Sequence, residues 1–184
     1  MADVDLELAD WLASPAGAAA IAQAADLPGG LATVEALRAT GLPPDRASAA
    51  ATQADLVRRA AERFGVTERL LTRDGLEQGT RPAVAQARAA LLGRPRRIVD
   101  ATAGLGFDTA AFVETGAPVI AIERDPVTAR FLAANVPGIE VIVGDAMVVL
   151  ESLAPTPDDI VFLDPARRDG RRTADGLRAH GFSS

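Results

Sequence analysis

Four acids punctuate the second half of the chain: Asp100 in "RIVDA", Glu123 in "PVIAIE", Asp145 in "IEVIVGD" and Asp164 in "DIVFLDP". Each closes a short apolar run rich in Val and Ile. In open α/β sheets, ligands bind outside the carboxyl ends of the strands, where a carboxylate can accept from hydroxyls or amines or face a cation. Any one of these acids is equally well a helix N-cap; four in equivalent positions point to a shared cleft. After the first run, "AGLGFDT" supplies Gly104 and Gly106, which permit close backbone approach to a ligand and free the amides ahead of the next helix. As a dinucleotide fingerprint the loop is imperfect, because Thr109 stands where G-x-G-x-x-G has its third glycine.

The spacing narrows the ligand. Glu123 ends the second run about twenty residues beyond the glycines, where an acid accepts from ribose hydroxyls. NAD and S-adenosylmethionine both carry such a ribose. Asp100, immediately ahead of the glycine loop, repels a pyrophosphate and favours an ammonium or sulfonium. Asp145 in "GDAM" is placed to accept from an adenine amino group. The balance falls to the methyl donor.

The elements that must position these residues follow from periodicity. The four apolar runs alternate with helix-like segments, the pattern of parallel strands covered on both faces. Residues 1–93 read instead as helices, rich in Ala and poor in β-branched residues. One begins with Ser14 as N-cap and Pro15 at the first position, and Pro28-Gly29-Gly30 breaks it. A second runs from Leu31 to Ala39. The longest, "PPDRASAAATQADLVRRAAERFG", lines one face with Ala49, Leu56, Ala60 and Phe64 and closes at Gly65. Thr80 is expected to cap a fourth, "RPAVAQARAALLG". The expected division is a helical domain over 1–93 and an α/β domain over 94–184, with "GRPRR" as a solvated linker and Trp11 as packing for the helices. The chain stops soon after the fourth strand, so the sheet is expected to be incomplete, with that strand exposed on one edge as a site of association.

Composition removes other classes. The chain has 184 residues, no cysteine and one histidine, His180, so thiolate metal sites are excluded and no metal is expected. Net charge is −6, which argues against a surface coated for nucleic acid. No apolar stretch approaches membrane-spanning length, and the acidic start "MADVDLELAD" is the opposite of a targeting signal; a cytoplasmic protein is expected.

Together, "VDATAGLGFDTAAF", "VIAIERDP", "VIVGDA" and "DIVFLDPARR" resemble the class I S-adenosylmethionine-dependent methyltransferases. More narrowly, "DPARR" followed by "GRR", together with "TQADLVRRAAERFG" and "LEQGTRPAVAQARA", resemble bacterial methyltransferases that carry a C-terminal THUMP-like domain. RNA cap guanine-N2 methyltransferases and small ribosomal RNA methyltransferases are similar, though less closely. The resemblance covers nearly the whole chain and matches the family's first half. It implies a Rossmann-like sheet in which Asp100, Gly104 and Gly106 serve the methionine end of S-adenosylmethionine, Glu123 the ribose and Asp145 the adenine. Asp164 and Pro165 would receive the target amine, in the place of the acid-Pro-Pro-aromatic motif of amino-directed methyltransferases. Ala166 and Arg167 replace that motif's second proline and aromatic, which leaves a stacked, flipped base without its usual platform.

"ARRDGRR" places Arg167 and Arg168 just beyond Asp164, and guanidinium forks suit the phosphates of an RNA acceptor. The same arginines would serve equally as a solvated loop paired with Asp169 and Asp175. Two rival functions stand beside the methyltransferase: an NAD-binding oxidoreductase, and a non-catalytic remnant that acts only as a binding module.

Overall fold

The computed structural model describes residues 4–93 and 95–164. Six helices come first: α1 (Leu6–Leu12), α2 (Pro15–Ala25), α3 (Gly30–Ala39), α4 (Pro44–Phe64), α5 (Arg73–Gln78) and α6 (Pro82–Leu91). Their boundaries have local causes. Asp5 and Ser14 cap α1 and α2, accepting from Leu8 N and Gly17 N, and Gly65 ends α4 in the left-handed conformation at φ 69°. Small residues let α2, α3 and α4 approach closely around Ala20, Ala24, Leu37, Ala47, Ala50 and Ala54. Trp11 packs against this core and the one below it, under Arg46. Thr80 does not cap α6: Arg81 occupies that position without a side-chain bond, and the Thr80 hydroxyl is used elsewhere.

The second half alternates as read: β1 (Arg97–Asp100), α7 (Phe107–Glu114), β2 (Val119–Glu123), α8 (Pro126–Asn135), β3 (Glu140–Val143), α9 (Ala146–Leu153) and β4 (Asp159–Phe162). All pairs are parallel, in the order β3-β2-β1-β4. Odd and even strand residues face opposite layers. Ile98, Val119 and Phe162 meet α6 and α7, and Ala121 and Val141 meet α8, whereas Val99, Ile122 and Val161 meet α9. The inner strands β1 and β2 are buried and the outer strands only half so. Among the described residues β4 pairs with β1 alone.

The two halves share a core. Leu8, Leu12, Leu56, Phe64, Leu71 and Leu76 from the helices pack with Leu105, Phe107 and Phe131, and the rings of Phe64 and Phe107 lie 5.1 Å apart. The basic stretch between the halves is not simply a solvated linker. Arg96 and Arg97 both pair with Asp159 at the start of β4, each at 2.9 Å, and hold its carboxyl well below the usual carboxylate range through hydrogen bonds from Arg96, the Thr156 amide and Arg97. This clamp fixes the amino ends of β1 and β4. A cleft of about 560 Å³ between Leu92, Arg96 and Ile160 opens at that same end, away from the four acids.

Candidate functional site

Asp100 is the last residue of β1 and is only 1% exposed. Its Oδ2 accepts from the Thr109 hydroxyl at 2.6 Å, and its Oδ1 from the Thr102 amide at 3.4 Å. Burial pushes its pKa up to about 6, with Asp108 and Glu123 adding to the rise and the two hydrogen bonds opposing it. Thr109, the residue that spoils the dinucleotide fingerprint, is thus the hydroxyl that satisfies a buried acid. A third glycine there would leave Oδ2 without that donor.

The two glycines of the loop have different tasks. Both take positive φ, 55° at Gly104 and 82° at Gly106. A Cβ on Gly106 would lie 2.6 Å from Leu132 Cδ1 and 2.8 Å from Val136 Cγ2, so that glycine lets the loop sit on α8. A Cβ on Gly104 would meet nothing within 4 Å; this is the open face. The Gly104 amide donates to Glu123 Oε2 at 3.0 Å, and the Asp125 amide donates to Glu123 Oε1 at 2.8 Å. Glu123 is held at both oxygens by backbone. A carboxylate offers about four acceptor positions, so about two remain for a ligand.

The loop is buttressed from behind by residues outside the strand-and-loop motif. Arg69 Nη1 donates to the Leu105 and Gly106 carbonyls at 3.3 and 3.1 Å, with its guanidinium 4.9 Å above the Phe107 ring. Asn135 Nδ2 donates to the Leu70 and Leu105 carbonyls at 2.9 and 3.0 Å, and Leu70 N returns a bond to Asn135 Oδ1. Gly75 and Gly79 admit Leu105 and Phe107 so closely that a Cβ would come within 2.3 and 2.8 Å of them.

Asp145 lies two residues beyond β3 and caps α9. Its Oδ1 accepts from Met147 N at 2.9 Å and Val148 N at 3.5 Å; its Oδ2 has no partner among the described residues. Asp164 lies two residues beyond β4, where its amide donates to Thr102 Oγ1 at 2.8 Å. Its Oδ2 pairs with Arg88 Nη2 at 2.8 Å. Arg88 projects from α6 and spans two acids, since its Nη1 also reaches Asp108 Oδ1 at 3.0 Å, while Thr80 Oγ1 donates to Asp108 Oδ2 at 2.6 Å. Burial alone would lower the Arg88 pKa, but the bonds and charges of Asp108 and Asp164 outweigh it and raise it. The guanidinium also sits 5.4 Å over the Phe162 ring. Sequence reasoning missed Arg69, Arg88 and Asn135, because nothing in the local pattern marks them. Pro165, Arg167 and Arg168 lie outside the described residues.

The arrangement is therefore a held carboxylate beside an open glycine at the ends of β1 and β2, with Asp145 on one side and Asp164 on the other. Residues 64–175 match the family model "Putative SAM-dependent methyltransferase", and residues 5–60 match "Domain of unknown function (DUF8688)". The first model takes in α5 and α6 as well as the sheet. Among curated proteins, the chain is 35% identical over 104 residues to ribosomal RNA small subunit methyltransferase J of Hydrogenovibrio crunogenus, covering 48% of this chain and 37% of that protein. It is also 35% identical over 100 residues to the protein of the same name from Aeromonas salmonicida, covering 47% of this chain and 40% of that one. The chain thus spans well under half the length of these relatives. A crystal structure from Porphyromonas gingivalis W83, described as a "putative methyltransferase", superposes with a TM-score of 0.54 at 23% identity, over 80% of this chain and 37% of that one; it shares the fold. With well over half of its residues matched by that model, the chain belongs to the SAM-dependent methyltransferase family.

Proposed function

We propose that the chain binds S-adenosylmethionine across the carboxyl ends of β1 and β2 and directs its methyl group to an amino group or base of RNA. The observation that carries this reading is the Glu123 carboxylate, fixed by the Gly104 and Asp125 amides with acceptor positions to spare beside the open face of Gly104. Such a carboxylate fits a ribose diol. Asp100 and the glycine loop would serve the methionine end, where a cationic ligand is favoured over a pyrophosphate. The free Oδ2 of Asp145 would accept from the adenine amino group.

The cofactor supplies an already activated methyl group, so the protein's task is chiefly to position the reactants. Asp164 is suited to that task. Arg88 holds its Oδ2, and its Oδ1, without a partner among the described residues, can accept from an acceptor amine; Pro165 would serve the acceptor beside it. Arg167 and Arg168 would meet RNA phosphates. The RNA assignment rests on the relatives' printed name, ribosomal RNA small subunit methyltransferase, and it would place the chain in the cytoplasm. Among the described residues no helix is long and apolar enough to cross a membrane.

The test is paired. Calorimetric titration with S-adenosylmethionine and with NAD should give binding for the first and none for the second; the reverse would restore the oxidoreductase. Incubation with methyl-tritiated cofactor should label ribosomal RNA and not a protein mixture. Label in protein alone would overturn the RNA assignment and leave the cofactor assignment standing.

A further inference from the structure

The peptides of a glycine loop can flip at modest cost, because glycine populates both signs of φ. Here two of the loop's carbonyls are tied from outside. Arg69 holds those of Leu105 and Gly106, and Asn135 holds that of Leu105 a second time. A peptide is planar and trans, so fixing these carbonyls also fixes the amides of Gly106 and Phe107 on the opposite side. The Gly106 amide then closes the turn onto the Ala103 carbonyl at 2.9 Å. With that turn closed, the Gly104 amide faces Glu123.

Arg69 is an unusual choice for this task. It is half-buried, and among the described residues it makes no ion pair; its guanidinium is used on backbone carbonyls and on the face of Phe107. An arginine taken partly out of water without a carboxylate carries a desolvation cost that no opposite charge offsets. That cost is consistent with a role in holding the loop.

We infer that Arg69, in the segment joining α4 to α5, is a positioning residue for cofactor binding: from behind the glycine loop it sets the orientation in which Gly104 and Glu123 meet the ligand. The inference rests on the cofactor reading above. It also gives a connecting segment within the helical half a task in the site.

The full chain and its Arg69→Met and Arg69→Lys variants are titrated with S-adenosylhomocysteine, and hydrogen exchange is followed in a peptide covering residues 101–107 of the unliganded protein. Arg69→Met should bind at least tenfold more weakly and exchange faster in that peptide, with β2 unchanged. Arg69→Lys should fall between, since lysine can donate to carbonyls but lacks the fork; it also keeps the test open if the methionine variant does not fold. Unchanged affinity and unchanged loop exchange in a folded variant would overturn the inference, even if melting shifts. No binding by the parent chain would instead overturn the cofactor reading, and loop exchange would then decide whether Arg69 orders the loop at all.

Discussion

At the ends of β1 and β2, Asp100 and Glu123 sit under and beside the glycine loop, with both oxygens of each carboxylate engaged. At the ends of β3 and β4, Asp145 and Asp164 are exposed, and each leaves one oxygen without a partner among the described residues. Acids at the carboxyl ends of the four strands, two of them the last strand residue and two lying two residues beyond it, have thus been put to two uses. Strands in the middle of a sheet are covered on both sides, and their terminal acids are drawn into the architecture that shapes the loop. The outer strands of the described sheet leave theirs open, where they cap a helix or pair with a passing arginine while still facing solvent. Being a strand-end acid therefore does not define a role. Position in the sheet decides how much of the carboxylate remains for a ligand.

The glycine loop gives the sharpest way to break this contrast. Gly106→Ala combines a left-handed backbone, costing about 1–2 kcal/mol, with a Cβ pressed to 2.6 Å from Leu132, where overpacking costs about 1–3 kcal/mol. A loss of about 2–5 kcal/mol in chemical unfolding is expected. Gly104→Ala pays only the backbone cost, about 1–2 kcal/mol, and its main effect should be on cofactor affinity. Equal destabilisation by the two would mean that Gly104 does not face an open cleft.

Asp100→Asn sharpens the contrast from the other side. Because the folded pKa, about 6, is raised above the ordinary 3.8, the folded state holds its proton more tightly than the unfolded chain. Stability is therefore lost as pH rises between about 4 and 6, by about 3 kcal/mol. The asparagine variant should lack that loss and melt higher than the parent at pH 8. Cofactor affinity should move oppositely: in the parent it should strengthen as pH rises through about 6 and the carboxylate ionises, and in the variant it should be weaker and flat. Parallel melting profiles from pH 4 to 8 would show that Asp100 is not the buried, raised acid described.

Arg88→Met should cost the fold only about 1–2 kcal/mol, since its two ion pairs are partly solvated. It should leave S-adenosylhomocysteine affinity within threefold while reducing methyl transfer. A tenfold loss of cofactor affinity would move Arg88 from the acceptor side to the cofactor side.

Much of this was legible in the sequence because it is local. Val- and Ile-rich runs ending in acids marked all four strands, and Ser14-Pro15 and Gly65 marked helix ends. What was not legible comes from tertiary contact. Helices α1 and α5 have only 7 and 6 residues; α5 contains Gly75, which weakens a helix but lets Leu105 dock. Arg69 and Arg88 meet their partners across 36 and 20 positions of chain, a separation no periodicity reports. Thr109 looked like a defect in a glycine fingerprint because its partner, Asp100, is nine positions back on a strand.

The central claim is that Glu123, not merely the presence of strand-end acids, holds the cofactor. It is tested by titrating S-adenosylhomocysteine into the parent chain, Glu123→Ala and Asp145→Ala side by side, with thermal melts of each. Glu123→Ala should lose about 1.5–3 kcal/mol of binding, the scale of hydrogen bonds to a charged group, or roughly ten- to hundredfold in Kd, with its cooperative melt preserved. Asp145→Ala should lose less than tenfold, together with about 1 kcal/mol of stability from the missing cap of α9. An unchanged Kd in a folded Glu123→Ala variant would contradict the account.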